Sequence, residues 1–116
     1  MDKPRSTGKV INSHFIQLED FVKKILQLKP SERRLYFQNI NNYELDLISE
    51  IISNFLEKRI PVDYKSFTLL QKIKTFLRDF IKLKKSQKIK RRMLQSLKGL
   101  HLISILFPIA LNFFMK

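Results

Sequence analysis

The chain has no cysteine and no tryptophan, and only two glycines and four prolines. Without cysteine there is no disulfide framework, no thiolate zinc site and no cysteine nucleophile. So few glycines and prolines exclude the turn-rich all-β architectures. The two histidines, His14 and His101, stand at opposite ends of the chain, which gives no pair of metal-ligand spacing. There is no glycine-rich phosphate loop and no nucleophile elbow. A helical ribonuclease motif places an arginine within one turn before its histidine; the nearest arginine before His101 is Arg92. These absences predict a protein that is not an enzyme, holds no metal and uses no cofactor or small-molecule substrate. The chain does not open on an apolar run, so no secretory signal is expected and an intracellular setting is.

What the chain has in excess is positive charge. In 116 residues, 23 Lys and Arg face 10 Asp and Glu, a net charge of +13. On so small a body this points to a polyanionic partner, a nucleic acid or an anionic membrane surface. The excess is segregated. Residues 1–57 carry 8 basic and 8 acidic residues, residues 58–98 carry 14 basic residues against Asp63 and Asp79, and residues 99–116 carry only Lys116. A solvated face mixes both signs, so +12 confined to one stretch calls for a ligand.

Apolar spacings of three and four recur and none alternates with period two, which predicts an all-α fold. Phe15, Leu18, Val22, Ile25 and Leu28 mark a first helix that Asn12 or Ser13 caps and Pro30 ends. Ser31 caps a short helix with Leu35, Tyr36 and Phe37, and Asn42 caps a third over 43–58. After the Ile60-Pro61-Val62 break, Asp63 caps a long helix from Tyr64 to Lys85. On it Lys74, Arg78, Lys82 and Lys85 fall opposite an apolar face. The expected core includes Leu47, Ile51, Phe55, Leu70, Ile73, Phe76, Leu77 and Phe80. Ser86 caps a basic helix with Lys88, Lys90, Arg91 and Arg92, whose Ile89, Met93 and Leu97 are spaced by four, and Gly99 stops it. The resulting divisions are a flexible N-terminus at 1–12, a helical domain at 13–85, a basic helical segment at 86–98 and an apolar tail at 99–116. The architecture expected is a small bundle of about four helices followed by a basic helix and an apolar C-terminal helix or tail.

The basic surface, Lys74, Arg78, Lys82, Lys84, Lys85, Lys88, Lys90, Arg91 and Arg92, is the candidate nucleic-acid-binding site; a solvated face doubling as a nuclear import signal is the alternative. No aromatic residue interleaves it and no Asn/Gln cluster accompanies it, which leaves phosphates rather than bases to be contacted. The tail also has two readings. It folds back as core, on the 64–85 helix, or its Leu100, Leu102, Ile103, Leu106, Phe107, Ile109, Leu111, Phe113 and Phe114 dock on a partner or an anionic membrane. At 16 residues from Leu100 to Met115 it is short of the ~20 of a spanning helix, and Pro108 is expected to kink it.

The layout resembles the small basic virion core proteins of adintoviruses and polinton-type elements, which are related to the adenovirus core protein precursor pre-mu (protein X). The resemblance runs over roughly residues 22–111 and rests on Leu28-Lys29-Pro30-Ser31-Glu32-Arg33, Tyr43 to Leu56, Ile60-Pro61-Val62, the Lys82 to Arg92 run, Met93-Leu94-Gln95, Gly99, and Leu106-Phe107-Pro108-Ile109-Ala110-Leu111. It implies a virion-associated protein of the host nucleus and the virus particle that binds and condenses double-stranded DNA, with capsid proteins as further partners. That family shows Gly-Gly before its tail, and its adenoviral relative is cut at a Leu-x-Gly-Gly type site. Here Leu97-Lys98-Gly99-Leu100 stands instead, so Leu97 and Gly99 mark a candidate processing site with one glycine. The basic run is Lys-dominated where the adenoviral peptide is Arg-rich; lysine meets phosphate as a point charge without the bidentate fork. A membrane-active protein and a helical interaction module with an import signal remain the alternatives.

Overall fold

A computed structural model describes the backbone of residues 5–82 and 86–114, and the side chains of residues 16–82 and 86–114. Among the described residues the chain is all-helical, without a strand. In order come α1 (Arg5–Gln27), α2 (Pro30–Gln38), α3 (Asn42–Leu56), α4 (Tyr64–Gln71), α5 (Lys74–Phe80), α6 (Gln87–Gln95), α7 (Leu97–His101), a π-helical turn (Leu102–Leu106) and α8 (Phe107–Phe114).

Local chemistry sets most boundaries. The α1 helix begins before Asn12 and Ser13, which therefore lie inside it and do not cap it. Its C-terminal carbonyls are capped by Arg33, whose Nε donates to Ile25 O at 3.1 Å and Nη2 to Leu26 O at 3.3 Å. Pro30 occupies the first turn of α2, where its missing N–H costs nothing, and Glu32 accepts from the Lys29 N–H at 2.7 Å. The cap of α2 is thus Lys29 rather than Ser31, and that of α3 is Asn41 rather than Asn42, its side chain accepting from Glu44 N at 2.8 Å. The α3 helix ends in a Schellman arrangement: Arg59 N reaches Asn54 O at 2.8 Å, Lys58 N reaches Phe55 O at 3.0 Å, and Lys58 takes φ 62°. Asp63 caps α4, accepting from Ser66 N at 3.1 Å.

The single long helix expected over 64–85 is two helices. Lys72 N and Ile73 N bond back three residues, to Leu69 O and Leu70 O, and Ile73 leaves helical geometry with φ −113° and ψ 19°. That tightening ends α4, and α5 starts at Lys74.

One apolar cluster runs through the described helices. It contains Leu18, Phe21, Val22 and Ile25 of α1, Phe37 of α2, six residues of α3 from Leu45 to Phe55, Leu70, Ile73, Leu77, Phe80 and Leu94, and the C-terminal Leu102, Ile103, Leu106, Phe107, Ala110 and Phe114. Of the expected core, Phe76 alone is only half-buried. The apolar tail belongs to this cluster. The α8 helix lies mainly against α1, and the π-helical turn against α4. The Phe107 ring meets Phe21 edge-on at 6.2 Å. Tail and 64–85 segment therefore do touch, but the principal support of the tail is α1. Helix continues through Pro108, at the start of α8. The proline withholds a bond from Ser104 O, and the wider π turn falls immediately before it, so the ladder loosens there without breaking.

Gly99 does not stop a helix. It lies buried inside α7, and Ser96 ends α6 and caps α7 through Gly99 N at 3.2 Å. A Cβ at Gly99 would stand 2.3 Å from Met93 O and 2.5 Å from Leu94 O, so the end of α6 rests directly on the glycine.

Candidate nucleic-acid interface

The segment holding most of the basic excess spans α4, α5, α6 and the start of α7. On α5, Lys74 and Arg78 are four residues apart and share a face, with Arg78 exposed and Lys74 half-buried. Lys82 lies just beyond α5, exposed, its Nζ 2.9 Å from Asp79 Oδ1. The other acid of the segment, Asp63, is held below the usual carboxylate range by hydrogen bonds from the Ser66 hydroxyl and N–H. Lys84 and Lys85 lie outside the described residues.

The α6 helix, capped by Ser86 Oγ on Ile89 N at 3.2 Å, divides its charges between two faces. Lys88 and Arg92, four apart, are exposed. Lys90 is buried, at 7% exposure, with its Nζ 5.6 Å from the centre of the Phe80 ring. Arg91 is half-buried, and its Nε donates to Ile40 O at 2.8 Å across 51 residues of sequence. Of the residues expected at the phosphate surface, Lys90 and Arg91 thus turn toward neighbouring elements and dock α6 on them. The inward row is Lys90 and Leu94, one position on from the expected Ile89, Met93 and Leu97, of which Ile89 and Leu97 are exposed and Met93 half-buried. Tertiary contact with α2 and α3 picks that row, and a lysine tolerates it because its methylene stem packs while its ammonium lies over a ring. No signal in the sequence separates Lys90 from Lys88.

The tail residues proposed for docking divide by burial. Leu102, Ile103, Leu106, Phe107 and Phe114 are buried in the chain's own core; Leu100, Ile109, Leu111 and Phe113 are half-buried against it. Helical residues Leu97–Phe114 are long and apolar enough, with mean hydropathy 1.6, to satisfy the length and composition of a membrane-crossing segment; in this fold part of their apolar side packs on α1 and α4. At the candidate processing site Leu97 is exposed and Gly99 buried, both within α7. Among the described residues no three acidic or histidine side chains gather as a metal would require.

Sequence reading gave no binding role to Lys72, Lys98 or His101. With Leu69, Ile73, Leu97 and Ile105 they line one groove. The spacing of Leu97, His101 and Ile105 by four was its available signal. Compared with family models, with characterised proteins and with solved structures, the chain matches none.

Proposed function

We propose that this protein binds double-stranded DNA without reading its sequence and condenses it, as a non-enzymatic virion core protein acting in the host nucleus and the virus particle, with capsid proteins as further partners. In this reading the first helices form the small bundle that carries the basic helix and the apolar C-terminal helix. The observation that carries it is the +12 of residues 58–98. Two pairs spaced by four, Lys74 with Arg78 and Lys88 with Arg92, are its helical elements, and Lys82 extends the first. Such rows neutralise phosphates and release counterions, which supplies affinity independent of base sequence. Lysine suffices for this, because condensation needs charge and not a bidentate fork.

The test is duplex binding measured across a salt series on two unrelated sequences. If Lys74, Arg78, Lys82, Lys88 and Arg92 each neutralise one phosphate, the log–log slope is about −4.5 and the same for both duplexes. Changing Lys88 and Arg92 together to Gln flattens it by about two units. An unchanged slope in that variant would remove the site, and a marked preference for one duplex would remove the mode. The membrane-active alternative draws on the apolar Leu97–Phe114 segment. Stronger binding to anionic vesicles than to DNA would favour it.

A further inference from the structure

The groove between α4 and the C-terminal limb has a volume of about 380 Å³. One wall is Leu69, Lys72 and Ile73; the other is Leu97, Lys98, His101 and Ile105. Its apolar residues are Leu69 and Ile73 on one wall and Leu97 and Ile105 on the other, and they are not fully covered: Leu97 is 69% exposed and Leu69 39%. Its ionisable lining residues are two lysines and a histidine, and no carboxylate lines it.

We propose that this groove seats an amphipathic helix of a partner protein that carries leucine-type residues at helical spacing, flanked by Asp or Glu. Three features select that occupant. The site is concave between two helical walls, which suits a rod laid lengthwise; a bilayer surface needs a flat or convex apolar face. Leu69 of α4 and Leu97 of α7 stand exposed on opposite walls, so the apolar ridge of a third helix can settle between them. Its rim is cationic, which complements acids on the incoming helix and repels a basic one. A duplex backbone is a poorer fit, because four of the seven lining residues are aliphatic and would face charged phosphates. The proposal stands apart from the DNA reading, since none of the cations assigned there lines the groove.

The experiment titrates the full chain, followed by amide NMR, with three helical peptides of equal length. One has Leu on one face and Glu flanking it, the second keeps the Glu but replaces Leu by Ser, and the third keeps Leu but replaces Glu by Lys. The Leu/Glu peptide is expected to shift signals of α4 and of residues 97–105, with the other two at least about tenfold weaker, ~1.4 kcal/mol. Leu97→Gln, at an exposed position, and Leu69→Gln each weaken the Leu/Glu peptide while binding DNA like the parent. The Lys88/Arg92 double Gln variant does the reverse, so failure of one proposal is distinguishable from failure of the other. Equal binding of the Leu/Glu and Ser/Glu peptides would reduce the effect to net charge and overturn the site. So would absence of binding, or shifts centred elsewhere. Groove signals that move with phosphatidylserine vesicles and not with the peptide would overturn it in favour of a membrane surface.

Discussion

Gly99 and Tyr36 show how much single residues contribute to this fold. Gly99 is required for closeness, since the atoms that a Cβ would strike are the backbone carbonyl oxygens of Met93 and Leu94. Backbone cannot swing aside as a side chain can. Gly99→Ala is therefore expected to destabilise by about 1–3 kcal/mol in urea denaturation, even though alanine is the better helix former. A neutral or stabilising result would show that α6 and α7 do not meet as described. Tyr36 donates its hydroxyl to Glu44, and Lys24 Nζ lies 4.9 Å from the centre of its ring. Burial, then the bond to Glu44, raises its ionisation above the ordinary value of 10.0. The raised value means the folded state favours the neutral phenol. The stabilisation is full below pH ~10 and is lost as pH rises through the folded value. Tyr36→Phe should thus lower the urea midpoint at neutral pH, and the gap from the parent should narrow in alkali. A gap that stays constant would place the contribution outside the hydroxyl.

The α6 helix shows what periodicity can and cannot say. Its existence, its Ser86 cap and its amphipathic character follow from a short stretch of sequence. Which basic residues face inward does not, because Lys88, Lys90, Arg91 and Arg92 are chemically alike and the choice depends on Phe80 and Ile40 from other elements. The two faces separate by experiment. Arg91→Ala leaves the Ile40 carbonyl without its donor and should cost about 1–3 kcal/mol of stability. Its salt slope on DNA should stay that of the parent, whereas the Lys88/Arg92 variant should lose slope and keep stability. Should Arg91→Ala flatten the slope as strongly, the division of α6 into a docking and a binding face would be wrong. The long 64–85 helix fails for a related reason. Nothing in Leu70-Gln71-Lys72-Ile73 breaks a helix by propensity. The break is therefore not written in local propensity; it lies between two residues of the core, Leu70 and the non-helical Ile73.

In the molecule as a whole, the apolar tail is an integral part of the core. Phe107 against Phe21 ties the C-terminal end to the N-terminal helix, and the π-helical turn ties it to α4. A chain ending at Gly99 would bare Phe21, Val22 and their neighbours, and is expected to lose cooperative unfolding and much of its far-UV helical signal. Retention of the parent's urea midpoint would show that the tail is dispensable. Truncation is for that reason a poor way to separate DNA from membrane binding, and point substitutions on the outward faces are the better probe. The same packing bears on processing: Leu97 and Gly99 are helical, Gly99 is buried, and a protease needs extended backbone, so cleavage there requires α7 to open first.

Read from the chain alone, the helical class, the Asp63 and Ser86 caps, the cores of α1 and α3 and the segregation of charge were all legible, because each depends on residues within a few positions of one another. The inward turn of Lys90 and Arg91, the break at Lys72-Ile73, the role of Gly99 and the docking of the tail on α1 were not. Each is settled by a contact between residues far apart in sequence, and helical spacing carries no information about which distant surface a face will meet. Local hydrogen bonding and periodicity specify helices; burial against particular neighbours specifies how they turn, and so which lysines and arginines are left at the surface to meet a phosphate.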